Sequence, residues 1–475
     1  MATPIPDNRA ELSLADVLTA TGGELLSGDR GAVVRGVTTD TRGDVKGKLF
    51  VALAGESFDG HEFVARAVRA GATAALVSRD FEVLGDVAVV RVADTLTALG
   101  DLAGFHRRRW GGQVVAVAGS AGKTTTRSAI SAALGAILGA ALHRTAGNLN
   151  NLVGVPMVLL GLEPQHRVAV LEIGTNARGE VARLAEIADP DVGVLTLVGM
   201  EHSEGIGDLD AIEAEEGDLL RALSSQAVAV GNGDDERVRR QLEASPAGRR
   251  VTYGSAGADY RLVRRETDDE LGTQLTVARP SGDQVTLTTR LVGLPGALAA
   301  MAAVAVADAV LEAPADPELL RTGLAGQDVG ERGRLTPVAL ANGTLVLDDS
   351  YNANPPSVLS AASVAQEIAE LRGARLVLVV GEMRELGAMS EREHRAVGAA
   401  LAERRAAALV AVEGDARLYV EPARSAGMDA EFATDAEAAV PLVLSRVRPG
   451  DVVLVKASRG VRAERIVAAL EGGAT

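Results

Sequence analysis

Val114-Val115-Ala116-Val117-Ala118-Gly119-Ser120-Ala121-Gly122-Lys123-Thr124-Thr125 runs from an apolar stretch through a glycine turn into a Lys-Thr pair that opens a helical pattern. The order of parts is buried strand, tight turn, helix. Gly119, Ser120, Ala121 and Gly122 supply a backbone whose N–H groups can close around phosphate oxygens, and the helix amino terminus adds positive potential. Lys123 reaches β and γ phosphates in such a loop, the Thr124 hydroxyl can ligate Mg2+, and Thr125 continues the first helical turn. Position 117 is valine where the full phosphate-loop pattern has glycine, so the match is Gly-x-x-Gly-Lys-Thr. A chance glycine turn is the competing reading. The strand pattern before it and the helix pattern after it argue against chance.

Outward from this stretch, strand and helix patterns alternate: Val168–Ile173, Val181–Ala188, Val192–Val198, Ala211–Leu223 and Ala227–Val230. Such alternation predicts βαβ units and a parallel sheet covered by helices. Residues 251–292 alternate polar and apolar side chains between turn signals, which suits an antiparallel extension. Toward the amino terminus, short patterns (Leu14–Ala20, Lys48–Leu53, Phe63–Ala70, Ala74–Val77, Val87–Val92) read as a small α/β unit. Its boundary falls near residue 93, before a helix over Asp94–His106 and a basic segment Arg107-Arg108-Arg109. Toward the carboxyl terminus a third alternating block, from Leu345–Leu347 to a final helix ending at Leu470, has the size of a Rossmann-like unit. The fold class is therefore α/β in three domains: a small amino-terminal unit, a central phosphate-loop unit with a parallel sheet, and a Rossmann-like carboxyl-terminal unit.

Composition sets limits on function. The 475 residues exceed what one core sustains. Apolar residues make up 47% and aromatics only 2%, so the cores are built from Ala, Val and Leu. Lys and Arg number 48 against 64 Asp and Glu, a net charge of −16 that excludes non-specific nucleic-acid binding and requires local basic sites for anionic substrates. No cysteine is present, which excludes disulfides, thiolate nucleophiles and cysteine-ligated zinc. Neither a secretory pattern nor a run of eighteen apolar residues is visible, so a cytoplasmic protein without membrane insertion is expected.

Further chemistry clusters near the loop. Glu172 ends the apolar strand Val168–Ile173, at the sheet edge where open parallel sheets bind ligands. Alone it reads more readily as a solvated strand-end charge than as a cation ligand. Glu201-His202-Ser203-Glu204 follows the next strand and brings an imidazole and carboxylates to the same edge as Glu172 and Lys123, a mixture suited to clamping phosphoryl oxygens through metal ions. Asn148, Asn150 and Asn151 form a polar cluster whose plain reading is a turn.

In this ordered set the sequence resembles the Mur ligase family over nearly its whole length. The likeness rests on Thr38-Thr39-Asp40-Thr41-Arg42, Leu49–Leu53 and Asp59-Gly60-His61, on Gly119–Thr124, Gly147–Asn151 and Val155-Pro156, and on four stretches of the third unit. These are Gly333-Arg334-Leu335, Asp348-Asp349-Ser350-Tyr351-Asn352-Ala353-Asn354-Pro355, Gly381-Glu382-Met383-Arg384-Glu385-Leu386-Gly387 and Lys456-Ala457-Ser458-Arg459. The resemblance implies residues 1–92 as a UDP-sugar-binding domain, 93–326 as the central ATP-binding domain and 327–475 as the Rossmann-like ligase domain. It implies ATP and Mg2+ as cofactors, UDP-N-acetylmuramoyl-tripeptide and D-alanyl-D-alanine as substrates, and a monomer. It further implies that Thr39, Asp40, Thr41, Arg42, Lys456, Ser458 and Arg459 hold substrate. ATP would fall to Gly119 through Thr125, Asn148, Asn151, Arg334, Asp349, Tyr351, Asn352 and Asn354. Lys123, Glu172, His202, Glu216 and Arg334 would be catalytic, with Thr124, Glu172, His202 and Glu216 at the metal.

Two departures stand out. Where the family has a lysine that becomes carbamylated, this chain has Glu216 within Ala214-Glu215-Glu216-Gly217-Asp218. Its shorter side chain is expected to reach the site through water or a shifted helix, or else to be an exposed charge in an acidic run. The family's His-Asn-x-x-Asn motif near adenine is replaced by Pro295, Gly296 and Ala299, which offer the base no side-chain hydrogen bond. Two readings compete with the cell-wall ligase: an amide ligase of secondary metabolism, and a non-catalytic relative that binds UDP-muramyl peptides.

Overall fold

The computed structural model describes residues 5–55, 58–79, 87–268, 271–326 and 329–473. The expected boundary at 326/327 adjoins 327–328, which lie outside the described residues.

The central unit is a nine-stranded sheet. In spatial order its strands are Gln284–Thr289, Thr273–Ala278, Tyr260–Thr267, Arg249–Gly254, Val228–Asn232, Val192–Leu195, Gln113–Ala118, Val168–Glu172 and Leu142–Arg144. Strand pairing is parallel from Leu142–Arg144 to Tyr260–Thr267 and antiparallel beyond it, so the expected antiparallel extension is present. Gln113–Ala118, the first of these strands in sequence, is flanked by strands that come later. Connections therefore leave in both directions at its carboxyl end and open a crevice there.

Two helices pack on this sheet and on each other, Lys123–Leu138 and Gly293–Leu311. The second has the length and hydropathy of a membrane span, with mean hydropathy 1.9, yet it is 78% buried inside the protein. It is the core helix of the central unit. Ala297, Ala300, Ala303 and Ala307 have no exposed surface, and their small side chains let neighbouring backbones approach closely.

The amino-terminal unit has a five-stranded sheet in the order Glu24–Ser27, Ala88–Arg91, Ala74–Val77, Leu49–Val51, Val37–Thr38. The third unit has six strands, ordered Thr336–Ala339, Leu345–Asp349, Val452–Lys456, Leu376–Gly381, Ala408–Val412, Asp429–Ala433, all parallel except the first. One expectation is corrected. The helix begun at Thr95 continues through the basic segment to Trp110 and ends at Gly111, whose φ of +75° favours glycine. Arg107 is buried, donating from Nε to the Ala188 carbonyl at 2.9 Å and pairing with Asp191 at 2.8 Å. That segment is a structural brace.

Candidate active site

The phosphate-loop stretch folds as its pattern requires. Gly119 has φ +127° and Gly122 has φ +83°, both in the region that favours glycine, and a Cβ on Gly119 would lie 2.3 Å from Thr196 Oγ1. Thr124 opens its helix, and its hydroxyl donates to Glu172 Oε1 at 3.1 Å. Glu172 is buried, which excludes the solvated strand-end reading. It also accepts from Asn150 Nδ2 at 2.9 Å and pairs with Arg127 at 3.4 Å.

Arg127 lies one turn beyond Lys123 on the same helix face. It is buried and bonds to the Thr145 carbonyl at 3.2 Å and to Glu331 Oε1 at 2.5 Å, linking Glu172 to the segment that enters the third unit. Sequence reasoning passed over both Arg127 and Glu331. The i+4 spacing from Lys123 was the available signal.

Glu216 departs from both expectations. It has no exposed surface, so it is not a solvated charge, and it reaches the loop directly, without water or a displaced helix: Oε2 accepts from the Gly119 N–H at 2.6 Å. Its other oxygen has no hydrogen-bond partner and lies 3.7 Å from Lys123 Nζ. Lys123 Nζ is also 3.2 Å from Glu201 Oε1. Burial by itself pulls the Lys123 ammonium down, but Glu201, Glu216 and Glu172 together hold it above its ordinary value. Burial pushes the Glu201 carboxyl well up against the pull of Lys123, and Glu216 adds to the rise. This arrangement holds a charged lysine beside carboxyl groups, one of whose oxygens, on Glu216, has no donor.

His202 sits in the left-handed region at φ +45°, and its Nδ1 pairs with Glu385 Oε2 of the third unit at 2.7 Å. That hydrogen bond draws the Glu385 carboxyl below its ordinary range. Nearby, Ser203 Oγ donates to the Leu386 carbonyl at 2.8 Å. The third unit is thus docked on the loop that carries His202.

A cleft of about 1070 Å³ lies between the central and third units. Ser120, Ala121, Gly122, Lys123, Thr124, Thr125, Asn148, Asn151, Glu172 and His202 line it from one side, and Arg334, Asp349, Tyr351, Asn352, Asn354 and Lys456 from the other. Some of these side chains are already engaged. Asn151 Oδ1 accepts from the Gly154 N–H at 2.8 Å, in the turn before the following helix. Lys456 Nζ is buried against Asp349 Oδ2 at 2.5 Å and the Asn352 carbonyl at 3.0 Å, so it orients Asp349. The Arg334 guanidinium stacks 4.0 Å from the Tyr351 ring centroid and leaves a buried Nε without a partner.

Other expected residues lie outside the cleft lining. Gly119 is the loop's first residue, and Glu216 sits beneath it. Ser458 is buried and accepts from the Arg384 N–H at 2.9 Å, while Arg459 lies 5.3 Å from the Tyr351 ring centroid. Thr39, Asp40, Thr41 and Arg42 belong to the amino-terminal unit, where Asp40 and the exposed Arg42 pair at 2.7 Å.

Among the described residues no three His, Asp or Glu side chains form a ready cation cage. The donor set suits a cation that arrives with phosphate. Mg2+ takes one or two protein oxygens and completes its shell from substrate and water, and Thr124 Oγ1 beside Glu172 offers such a pair.

Family comparisons agree with this geometry. The Mur ligase middle domain matches residues 117–307, the Mur ligase glutamate ligase domain matches 333–459, and the Mur ligase family catalytic domain matches 33–107. The UDP-N-acetylmuramoyl-tripeptide--D-alanyl-D-alanine ligase of Escherichia coli (strain K12) is 36% identical over 466 residues, covering 97% of this chain and 98% of the relative. The Bacillus subtilis (strain 168) enzyme of that name is 32% identical, covering 92% and 93%. Among solved structures, MurF from Acinetobacter baumannii superposes with a TM-score of 0.85 at 30% identity, over 99% of this chain and 100% of that one. Thermotoga maritima MurF in complex with ADP gives 0.78 at 27% identity, over 92% and 97%. The chain belongs to the Mur ligase family.

Proposed function

We propose that the protein joins D-alanyl-D-alanine to UDP-N-acetylmuramoyl-tripeptide with conversion of ATP to ADP and phosphate, a step of peptidoglycan precursor synthesis. The observation that carries this reading is a cleft with a phosphate loop on one wall and Arg334, Asp349 and Tyr351 on the other, in a chain alike over nearly its full length to ligases of that name. Residues 1–92, 93–326 and 327–475 act as the UDP-sugar, ATP and dipeptide-coupling domains.

ATP, held with Mg2+, supplies the γ-phosphoryl group that turns the tripeptide carboxylate into an acyl phosphate, from which the dipeptide amine displaces phosphate. The loop N–H groups and Lys123 bind the phosphates. Thr124 and Glu172 hold the cation, with His202 at the edge of that site, and Glu216 fixes the loop beneath. Arg334 reaches the phosphates from the third unit and stabilises charge as it develops on oxygen. Asp349, oriented by Lys456, faces the ribose. Docking of the third unit over the cleft excludes water that would hydrolyse the activated acyl group. Thr39, Asp40, Thr41 and Arg42 hold the UDP-sugar end on the amino-terminal unit.

The test is phosphate release in the presence of ATP, Mg2+, UDP-N-acetylmuramoyl-tripeptide and D-alanyl-D-alanine. Release that requires both substrates, with the UDP-linked pentapeptide as product, is expected. Absence of release with this pair would overturn the assignment.

A further inference from the structure

Ser120, at the tip of the phosphate loop, is gripped from three directions. Its N–H donates to the Leu197 carbonyl at 2.7 Å, and its Oγ accepts from the Gly199 N–H at 3.0 Å. Its carbonyl accepts from Asn354 Nδ2 at 2.9 Å. The first two partners belong to the central unit and the third does not.

Asn354 is placed by its own helix. It is the N-cap of Pro355–Arg372: its Oδ1 accepts from the Ser357 N–H at 3.0 Å, and its N–H donates to Ser357 Oγ at 3.0 Å. With the amide oxygen committed to the helix, the amide nitrogen must point the other way. That direction leads across the unit boundary to Ser120 and, at 3.4 Å, to Glu201 Oε2, which also faces Lys123. The side chain is buried, so water cannot easily substitute for it.

The neighbouring packing leaves little freedom. A Cβ on Gly199 would lie 2.8 Å from Pro356 Cγ, so the turn that follows Asn354 sits directly on the backbone that holds Ser120. The helix start, the loop carbonyl and the carboxylate facing Lys123 form one contact.

We infer that Asn354 is a positioning residue that couples docking of the third unit to the conformation of the phosphate loop, rather than a ligand of the nucleotide. This rests on the reading of Gly119–Thr124 as the phosphate site. An undocked third unit leaves the Ser120 carbonyl without this donor and Glu201 free to draw on Lys123 alone.

The experiment compares Asn354→Ser and Asn354→Asp with the unmodified enzyme. Asn, Asp and Ser are nearly equal as N-caps, so the helix start is kept in all three and the melting temperature of Asn354→Ser should stay within about 3 °C of the unmodified enzyme. Ser is too short to cap the helix and reach Ser120 together, and Asp sets an acceptor against the Ser120 carbonyl and the Glu201 carboxylate. kcat should fall about tenfold in Asn354→Ser and about a hundredfold in Asn354→Asp, with KM for ATP changed less than about threefold, because a buried acceptor is left unmet or opposed. Wild-type kcat in Asn354→Asp would make the residue a helix cap only and overturn the coupling. A raised KM for ATP at unchanged kcat would make it a nucleotide ligand and also overturn it. If Asn354→Asp does not fold, Asn354→Ser decides by the same split. Lys123→Ala, assayed for ADP binding by calorimetry, separates the premise: retained affinity there would remove the phosphate-site reading itself, whereas lost affinity with unimpaired Asn354 variants removes only the coupling.

Discussion

Replacing Glu216 by Gln changes one buried atom and should separate catalysis from stability. Gln keeps an oxygen to accept from the Gly119 N–H, the 2.6 Å bond that fixes the loop's first glycine. The variant loses the negative charge 3.7 Å from Lys123 Nζ. At an effective dielectric of about 20, a pair at that distance attracts with roughly 4 kcal/mol. Glu201 and Glu172 still face the ammonium, so about half of that attraction is expected to register at the site. Opposing it, the change removes the desolvation cost of a fully buried carboxylate and relieves Glu201, whose carboxyl Glu216 helps to push up. For folding these contributions nearly cancel, and the melting temperature should stay within about 2 °C. For turnover they do not cancel, because Lys123 loses part of the field that holds it charged beneath the loop. A loss of about 2 kcal/mol corresponds to roughly a 30-fold fall in ATP-dependent phosphate release. Paired melting and phosphate-release measurements check both halves. Full activity in Glu216→Gln would refute the reasoning, and so would a fall in activity that merely tracks a large fall in melting temperature.

Three further outcomes are expected. Gly119→Ala should weaken ADP binding at least 30-fold by calorimetry, since φ +127° and a Cβ 2.3 Å from Thr196 Oγ1 cost about 2 kcal/mol or more of loop geometry; unchanged affinity would show that the loop does not grip phosphate. Arg127→Met should lower stability to urea by about 3–5 kcal/mol, because it leaves Glu172 and Glu331 without their buried partner; a loss below about 1 kcal/mol would contradict the bridging role. Glu213, held chiefly by Arg240 with help from Gln241 and Arg237, has its carboxyl lowered from 4.5 to about 2. Its contribution is therefore complete above the unfolded value and is lost as the pH falls toward 2, so the stability gap between the unmodified protein and Glu213→Gln should narrow between pH 5 and pH 3. A gap independent of pH would contradict this.

The phosphate loop was legible because its backbone leaves few choices of residue. Two glycines at positive φ, a lysine and a threonine between a buried strand and a helix are costly to assemble for any other purpose. Alternating patterns likewise gave the parallel sheets, whose inner strands, such as Leu376–Gly381 and Ala408–Val412, are apolar. The helix Gly293–Leu311 showed no amphipathic period because it is buried on nearly every side, so periodicity had no face to mark. Glu216 was expected at the site, but an exposed charge stayed open as the alternative. The acidic run suggested solvent, yet Ile212, Glu216, Leu219 and Leu220 share the i, i+4, i+7, i+8 face that their helix buries. Asn151 shows the converse. It lines the cleft as the family likeness implied, while its side chain accepts from the Val153 and Gly154 N–H groups, the ordinary work of an asparagine at a turn.

What sequence could not supply is the meeting of the two larger units. Arg127 and Glu331 are 204 positions apart, and Ser120 and Asn354 are 234 apart, so no local pattern connects them. The backbone nevertheless marks the place. His202, Leu335 and Glu385 all hold positive φ without being glycine, at +45°, +54° and +67°. Each such residue costs of order 1 kcal/mol or more and persists only where its surroundings over-determine it. For His202 and Glu385 the surroundings are contacts across the boundary, His202 with Glu385 and the Glu204 N–H with the Glu385 carbonyl, while the Leu335 N–H donates to Asp349 Oδ1 within the third unit. Local preference fails at these positions because the requirement they meet is not local. They bring Arg334 and Asp349 to the wall of the cleft opposite Lys123.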